Sequence, residues 1–253
     1  MACSRPGPAR GDAASRGAGG TGREAEVDVN ADFTRRVALH ADDIPWQASP
    51  MAGVSRRMLD RIGDEVARAT SIVRYDPGSR FSPHVHAGGE EFIVLEGVFQ
   101  DEHGDFPAGA YIRNPPQSRH TPGSAAGCTI LVKLWQFDPA DRTHVRIDLT
   151  KIGAVADPAR PGVAVTPLFQ DAREDVRLEH WAPGAEVAVA AADGGAELFV
   201  LDGGFREGGD GFRRHSWLRL PIGHDTTATA GPDGARVWIK SGHLRFVGPP
   251  EPG

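Results

Sequence analysis

Short apolar segments alternate with turn-forming residues along most of the chain from Val54 onward. Clusters of Gly, Pro, Asn and Asp separate the segments, and no stretch shows the sustained period of about 3.6 residues that marks an amphipathic helix. The first two segments flank Gly63-Asp64-Glu65 and predict a hairpin. Strands at this spacing predict an all-β protein built as a sandwich or barrel. The segments are Val54–Arg61, Val66–Tyr75, Glu91–Gln100, Ala110–Arg113 and Cys128–Gln136.

This pattern occurs twice in the chain. When the sequence is shifted by 106 residues, Asp76–Pro115 aligns with Ala182–Pro221 without a gap, and twelve of the forty pairs are identical. Ordinary composition would give about two or three identities. The identical pairs are mainly turn glycines, prolines and apolar residues, and with one inserted residue Lys133 also aligns with Lys240. A repeat of this length predicts two copies of one β unit.

Composition divides the chain around these two copies. Residues 1–30 contain almost no large apolar side chain, so they cannot offset the entropy of ordering, and we expect a disordered tail. The first twenty-three of these residues are basic and nearly free of acids, so a targeting segment and a misplaced start site are both open interpretations. The expected layout is a tail over 1–35, a first domain over 36–136, a linker over 137–160, a second domain over 161–247 and a tail over 248–253.

Charge and composition argue against several classes of protein. The formal net charge is −6, from 28 Lys and Arg against 34 Asp and Glu, so we expect no nucleic-acid partner. No apolar run reaches the roughly 18 residues of a membrane span, so we expect no membrane partner and a cytoplasmic location. Cys3 and Cys128 lie far apart, which excludes a disulfide scaffold and a cysteine-rich zinc site.

One cluster of residues carries candidate metal chemistry. His84 and His86 are two positions apart, so on a strand both imidazoles point to the same face. Glu90 follows after a Gly-Gly turn, and His120 lies far enough along the chain to return beside the pair. Three imidazoles and one carboxylate suit a divalent transition metal such as Zn, Fe(II), Mn, Ni or Co.

The repeat provides an internal control for this cluster. The four positions all lose their ligand character in the second copy, although the glycines and core aliphatics remain, so the sequence predicts one metal site per chain. Glu91 is retained as Glu197 in the copy that lacks the histidines, which favours Glu90 as the ligand and a structural role for Glu91. The second-copy equivalents of His84, His86, Glu90 and His120 are Ala190, Ala192, Ala196 and Thr226.

Other polar residues have weaker functional interpretations. Tyr111 and Arg113 are candidates for lining a pocket beside the metal. Arg113 recurs as Arg219, and Lys133 recurs as Lys240, which favours structural ion pairs or hydrogen bonds for these basic residues. Because neither a Ser-His-Asp arrangement nor a phosphate-binding glycine loop is present, we expect no hydrolase triad and no nucleotide site. The catalytic residues are otherwise left unassigned.

Residues 78–97 resemble the first cupin motif, with Gly, five residues, His-x-His, three residues, Glu, six residues and Gly. Residues 104–120 resemble the second motif, which closes on a histidine. The surrounding phrases are similar to the ChrR-like cupins, which are named for the metal-binding half of a bacterial anti-sigma factor. The resemblance covers roughly residues 40–245. It implies two tandem cupin barrels, of the double-stranded β-helix, jelly-roll or RmlC-like type, with metal held by His84, His86, Glu90 and His120.

The resemblance implies two alternative functions for this chain, and each of them involves a small-molecule substrate or ligand. Stand-alone ChrR-like cupins resemble metal-dependent dioxygenases that act on small carbonyl compounds, which would make this chain an enzyme. The anti-sigma factor instead suggests a non-catalytic zinc-binding sensor. The N-terminal zinc domain of that factor, with its His and Cys-x-x-Cys, has no counterpart here, so sigma-factor inhibition is not carried over. We expect a homodimer, in which the ligand-free second barrel has a structural or dimer-forming role.

Overall fold

The computed structural model describes residues 28–64 and 66–250, in which nearly all regular structure is β-strand. Two 3₁₀ helices, Ala41–Asp43 and His243–Phe246, are the exceptions among these residues, and neither is long and apolar enough to span a membrane. The strands up to residue 148 are β1 Val37–His40, β2 Gln47–Ala48, β3 Val54–Ile62, β4 Arg68–Tyr75, β5 Ser79–Arg80, β6 His84–His86, β7 Glu90–Asp101, β8 Gly104–Pro107, β9 Ala110–Asn114, β10 Ser118–His120, β11 Gly123–Ser124, β12 Cys128–Leu134 and β13 Val145–Asp148. The remaining strands are β14 Val155–Ala156, β15 Val163–Gln170, β16 Asp175–Trp181, β17 Glu186–Val189, β18 Ala196–Glu207, β19 Asp210–Arg213, β20 Ser216–Leu220 and β21 Thr226–Ser241.

The strands form two large antiparallel sheets that correspond to the two sequence copies. The first sheet has the order β13-β9-β7-β12-β4-β3-β2, with β8 and β11 also on β7 and β5 on β11. The second has the order β1-β20-β18-β21-β16-β15-β14, with β17 on β21 and β19 on β18. Strands β6 and β10 pair with each other beside the first sheet. The all-β fold of two tandem barrels predicted from the sequence is therefore confirmed.

Alternating side chains divide the core into three parts. Phe92 and Val94 of β7 point into the first barrel, whereas Ile93 between them points toward the second barrel. A separate cluster, drawn only from the second copy, fills the second barrel. The middle cluster contains large residues from both copies, including Tyr111 and Trp217, so the two barrels share one apolar interface. Burial of this shared face is what fixes the barrels against each other.

Two strands lie in sheets that the expected domain boundaries did not assign to them. Strand β1, placed within the first domain at 36–136, pairs with β20 of the second sheet, where Leu39 lies opposite Trp217. Strand β13, placed within the linker at 137–160, pairs with β9 of the first sheet. The structure thus differs from the predicted layout because β1 covers an edge of the second sheet and β13 covers an edge of the first. Each of these strands has only four residues, and so short a sequence does not indicate which other strand it pairs with.

The expected disordered tail over 1–35 also differs from the structure where it is described. Residues 1–27 lie outside the described residues, but Val29 bridges to Arg61, and the Asn30 side chain donates to the Leu59 carbonyl at 2.7 Å. The ring of Phe33 lies 3.9 Å from the guanidinium of Arg219 in the second copy. The Phe33 ring lies between the guanidinium groups of Arg68 and Arg219, and these contacts hold the N-terminal segment in place. Average composition does not detect a single contact of this kind.

Two buried ion pairs cross the interface reciprocally. Lys240 of the second copy contacts Glu91 of the first at 2.6 Å, and Lys133 of the first contacts Glu197 of the second. All four residues are at most 1% exposed. Because each lysine aligns with the other in the repeat, and each glutamate with the other, the pairs are two copies of one interaction. The structural roles predicted for Glu91, Lys133 and Lys240 are confirmed by these contacts.

Neighbouring donors complete the coordination of both glutamates. Tyr111 donates to Glu91 at 2.5 Å, and Trp217, its equivalent in the repeat, donates to Glu197 at 3.2 Å. Burial by itself raises the pKa of Glu91, but the charges of Lys240 and Arg113 outweigh it and lower that pKa to about 2. Both carboxylates are therefore held in their charged form inside the protein.

Breaking one of these pairs should destabilise the fold strongly. We expect Lys133→Met to lower the free energy of unfolding by about 3–5 kcal/mol, because Glu197 is left charged and buried without its partner. Chemical denaturation of the metal-free protein measures this loss. The control is Glu96→Gln, which removes an exposed pair with Arg214 at 3.5 Å and should change stability by about 0.5 kcal/mol or less. Similar small losses in the two variants would contradict the importance of the buried pair.

His243 makes stability depend on pH. Burial lowers the pKa of His243 to about 3, and its hydrogen bond to Glu197 only partly offsets this effect. The unfolded chain, with the ordinary histidine pKa near 6.5, therefore takes up a proton that the folded chain does not. The stabilisation from neutral His243 is complete above about pH 6.5. It is lost as pH falls toward 3, at about 1.4 kcal/mol per pH unit.

Replacing His243 should remove part of this acid sensitivity. His243→Gln keeps an amide that can donate to Glu197 and has no titrating group. Between about pH 6.5 and 4.5, its plot of unfolding free energy against pH should be shallower than the wild-type plot by about 1.4 kcal/mol per unit. Denaturation curves at several pH values test this, with exposed His103→Gln expected to keep the wild-type slope. A wild-type slope in His243→Gln would mean that the folded protein protonates this histidine.

Candidate metal centre

The three histidines are brought together by a short strand pair. Strands β6 and β10 are antiparallel, with His84 opposite His120 and His86 opposite Ser118. Because residues two apart on a strand share a face, His84, His86 and His120 lie on the same side of this ribbon. Their ring centroids are 4.7 to 5.1 Å apart. One nitrogen of each ring lies within 4.8 Å of the corresponding nitrogens of the other two.

The Gly88-Gly89 turn brings Glu90 back to these rings. Gly89 has a φ of 78°, a left-handed conformation that favours glycine. A Cβ on Gly88 would lie 2.1 Å from the Trp135 ring, and one on Gly89 would lie 2.5 Å from the Phe137 ring. Both positions therefore need glycine so that the turn can pass beneath the two aromatic rings. Glu90 follows at the first position of β7, and its side chain is buried.

Three of the four donor atoms have the spacing of ligands around one ion, and the ring nitrogen of His84 lies within 4.8 Å of those of the other two histidines. The Nε2 atoms of His86 and His120 are 2.9 Å apart, and Oε2 of Glu90 lies 3.4 Å and 3.6 Å from them. Two ligands at about 2.1 Å from a metal are about 3.0 Å apart at right angles and about 3.4 Å apart at the tetrahedral angle. The observed separations fall close to this range. Glu90 has no Lys or Arg partner among the described residues, so a divalent cation fits the charge of the cluster.

A second group of contacts orients the imidazoles. Nδ1 of His84 faces the Ser82 carbonyl at 3.1 Å, and Nδ1 of His120 faces Oδ2 of Asp101 at 3.2 Å. If each Nδ1 carries the proton, the Nε2 lone pair is free for a metal, which is the usual arrangement of metal-binding histidines. Asn114 donates to Oε2 of Glu90 at 3.2 Å.

The electrostatics of the two buried imidazoles differ. Burial lowers the pKa of His86, which favours the neutral form that binds metals. Burial also disfavours the charged form of His120, but its hydrogen bond to Asp101 and the charge of Glu90 raise its pKa overall. A buried carboxylate on one nitrogen makes the other a stronger electron donor. His120 is therefore a more basic candidate ligand than His86.

Asp101 is a site residue that sequence reasoning missed. Its side chain is 4% exposed, and its equivalent in the second copy is Glu207. Glu207 accepts from Oγ1 of Thr226, which stands at the position of His120, and it pairs with Arg36 at 2.6 Å. An acid is thus present behind this position in both barrels. In the second barrel, an arginine from the N-terminal segment neutralises it. The retained acid was visible in the repeat alignment but did not stand out without the geometry.

Tyr111 and Arg113 do not line the candidate metal centre. On β9, Ala110, Ile112 and Asn114 face the interior of the first barrel, and the alternate residues Tyr111 and Arg113 face the second barrel. Arg113 contacts Glu174 of the second copy at 2.6 Å. The prediction of a pocket role for both residues is therefore wrong, because the strand directs them away from the metal ligands.

The chain matches one family model over its first barrel. Residues 34–138 match the model described as the ChrR Cupin-like domain, which confirms the resemblance seen in the motifs. No curated protein sequence matches the chain.

Solved structures share the fold of the whole chain. A dioxygenase candidate from Nostoc punctiforme has a TM-score of 0.69 at 14% identity, over 87% of this chain and 88% of its own. A candidate glyoxylate-induced protein from Pseudomonas aeruginosa has a TM-score of 0.66 at 15% identity, over 91% and 96%. The bacterial pirin YhhW from Escherichia coli, solved with nickel(II), has a TM-score of 0.57 at 16% identity, over 82% and 99%. At these identities the similarity establishes the fold alone.

Metal analysis tests the ligand assignment. The natively purified protein should hold about one equivalent of metal per chain, because the second barrel has Ala or Thr at all four ligand positions. The double change His84→Ala, His86→Ala should reduce loading to background, since two of three imidazoles are removed. Exposed His103→Ala is the control and should keep wild-type loading. Two equivalents in the wild-type chain would contradict the loss of ligands in the second barrel.

Proposed function

We propose that the first barrel binds one divalent transition metal through His84, His86, Glu90 and His120. The observation that carries this proposal is the convergence of two Nε2 atoms and Oε2 of Glu90 within 2.9 to 3.6 Å in a buried cluster. Without a cation, the facing nitrogens of His86 and His120 would compete for a single shared proton. Zn, Fe(II) and Mn all accept this donor set, so its chemistry alone does not select one of them.

The metal centre supports an enzymatic function best. We propose a metal-dependent dioxygenase, or a related enzyme, that acts on a small carbonyl compound. Four protein ligands leave about two positions on a six-coordinate ion. His84 is only partly buried and its neighbour Val85 is exposed, so the centre is accessible from this side. A bound metal would act as a Lewis acid and a template for the substrate.

The residues around the ligands would exclude water and hold the centre in shape. Phe92 and Phe99 are packed together with ring centroids 4.6 Å apart, and Phe99 lies 5.8 Å from the His120 ring. This apolar wall limits solvent on the buried side of the ligands. Asp101 would hold the His120 proton at Nδ1, and Asn114 would orient the Glu90 carboxylate. Such supporting hydrogen bonds are a usual requirement for a precise metal site.

A zinc-binding sensor module is the second candidate. The match of residues 34–138 to the ChrR Cupin-like domain supports it, because that domain takes its name from a regulatory protein. In this case the four donors would close a tetrahedral shell without an open position. A cytoplasmic homodimer without nucleic-acid or membrane partners is proposed for either function.

Oxygen consumption tests the enzymatic proposal. The protein is reconstituted anaerobically with Fe(II), and oxygen uptake is followed over a panel of diketones and hydroxyacetophenones. We expect uptake with at least one compound and none in the His84→Ala, His86→Ala variant. No uptake by a fully loaded protein would contradict dioxygenase activity on this class.

X-ray absorption on the protein as isolated separates the two candidates. Five or six ligands with exchangeable water would support the enzyme. Zinc with four protein ligands and no water would support the sensor module.

A further inference from the structure

Strands β7 and β9 carry two different buried sites on their opposite faces. Glu90 and Asn114 lie directly opposite each other and point into the first barrel at the metal centre. The next pair, Glu91 and Arg113, also lie opposite each other and point toward the second barrel. Glu90 is thus the chain neighbour of Glu91, and Asn114 is the chain neighbour of Arg113. Each residue at the metal centre is one peptide bond from a charged residue at the interface between the barrels.

Charged residues of the second barrel close a ring with this outer pair. Lys240 contacts Glu91 at 2.6 Å and Glu174 at 2.9 Å. Glu174 contacts Arg113 at 2.6 Å, and Arg113 lies 3.5 Å from Glu91. The four residues alternate in charge, and none is more than 5% exposed. Two members come from each barrel, so the ring joins the barrels directly behind Glu90 and Asn114.

A second contact leads from the same ring to the Glu90 turn. The Arg113 guanidinium stacks between the rings of Phe137, at 4.2 Å, and Phe169, at 3.7 Å. Lys240 also lies 5.9 Å from the Phe137 ring. Phe137 in turn packs against Gly89, where a Cβ would approach it to 2.5 Å. A displacement of the ring residues therefore reaches the turn as well as the strands.

We infer that the second barrel, which has lost its own ligands, holds the metal centre of the first barrel in shape, with Lys240 as a positioning residue. This inference rests on the proposed metal binding. Loss of the Lys240 charge leaves two buried carboxylates, Glu91 and Glu174, with Arg113 as their main cation, and Arg113 also contacts Asp141 at 3.2 Å. Arg113 must then shift toward one of them, and it carries Asn114 and the Phe137 contact with it. Glu90 loses its fixed orientation as a result.

The repeat supplies a matched control within the same chain. Lys133 and Glu197 form the equivalent interface pair, at least as deeply buried. The strand of Glu197 carries Ala196 at the position of Glu90. Lys133 itself lies on β12 opposite Glu91, but its charge pairs with Glu197 and is not part of the ring that contains Arg113. Loss of Lys133 should therefore destabilise the protein as strongly as loss of Lys240 and leave the metal centre intact.

Metal affinity and the Co(II) spectrum separate positioning from stability. Lys240→Met and Lys133→Met are compared for Zn(II) affinity by chelator competition, for Co(II) visible absorption and for melting temperature without metal. We expect similar losses of melting temperature. Lys240→Met should weaken Zn(II) binding by about tenfold or more and change the Co(II) bands, as removal of a supporting partner usually does. Lys133→Met should keep the wild-type spectrum and stay within about twofold in affinity.

The measured affinities and spectra decide whether Lys240 positions the metal centre. Unchanged affinity and spectrum in Lys240→Met, or equal weakening in both variants, would overturn the positioning role. If Lys240→Met does not fold, Glu174→Gln replaces it, because this change keeps Lys240 on Glu91 and weakens the contacts of Glu174 with Arg113 and Lys240. Glu174→Gln should then weaken Zn(II) binding more than Lys133→Met does, and equal affinities would overturn the inference. A wild-type chain that binds neither metal would instead refute the proposed function.

Discussion

Compensation of buried charge between the barrels is the constraint on which the structure depends. Glu91 and Glu197 lie in an apolar interface where an isolated carboxylate would be very unfavourable, and each is neutralised by a lysine from the opposite copy. Separating the barrels would break both ion pairs and expose the apolar interface around them to water. Strand β1 strengthens this dependence, because it precedes the first barrel in the chain and covers an edge of the second sheet. The pair of barrels thus behaves as one unit.

Much of this arrangement could be predicted from the sequence, because the duplication supplied a comparison within one chain. The four ligand positions change together between the copies, whereas Glu91 and the lysines persist. This difference identified the structural role of Glu91, and the ligand role of Glu90 stays a prediction. The same comparison, applied to Tyr111 and Arg113, would have argued against a pocket role, since both have large counterparts in the copy without ligands. The error came from their closeness to the second motif, which does not show the face of a strand.

Other features depend on contacts that no local pattern contains. The pairing of β1 with β20 joins residues far apart in sequence, and four residues of strand do not specify a partner. The order around Phe33 depends on guanidinium groups from both copies. Asp101 became recognisable only once the structure placed it behind His120. In each case the local residues permit the feature and a distant residue decides it.

The chemistry of the interface also explains why the second barrel retains its charges after losing its ligands. A buried ion pair rarely stabilises a protein more than apolar residues of the same size would, so stability alone is a weak reason to keep it. Its advantage is geometric, because a displacement of one barrel relative to the other separates both pairs at once, whereas an apolar surface tolerates small displacements. A metal centre needs this kind of constraint, since its donors must stay within a few tenths of an ångström of their places. Charges that hold β7 and β9 in register thus serve the centre on the opposite face of the same strands.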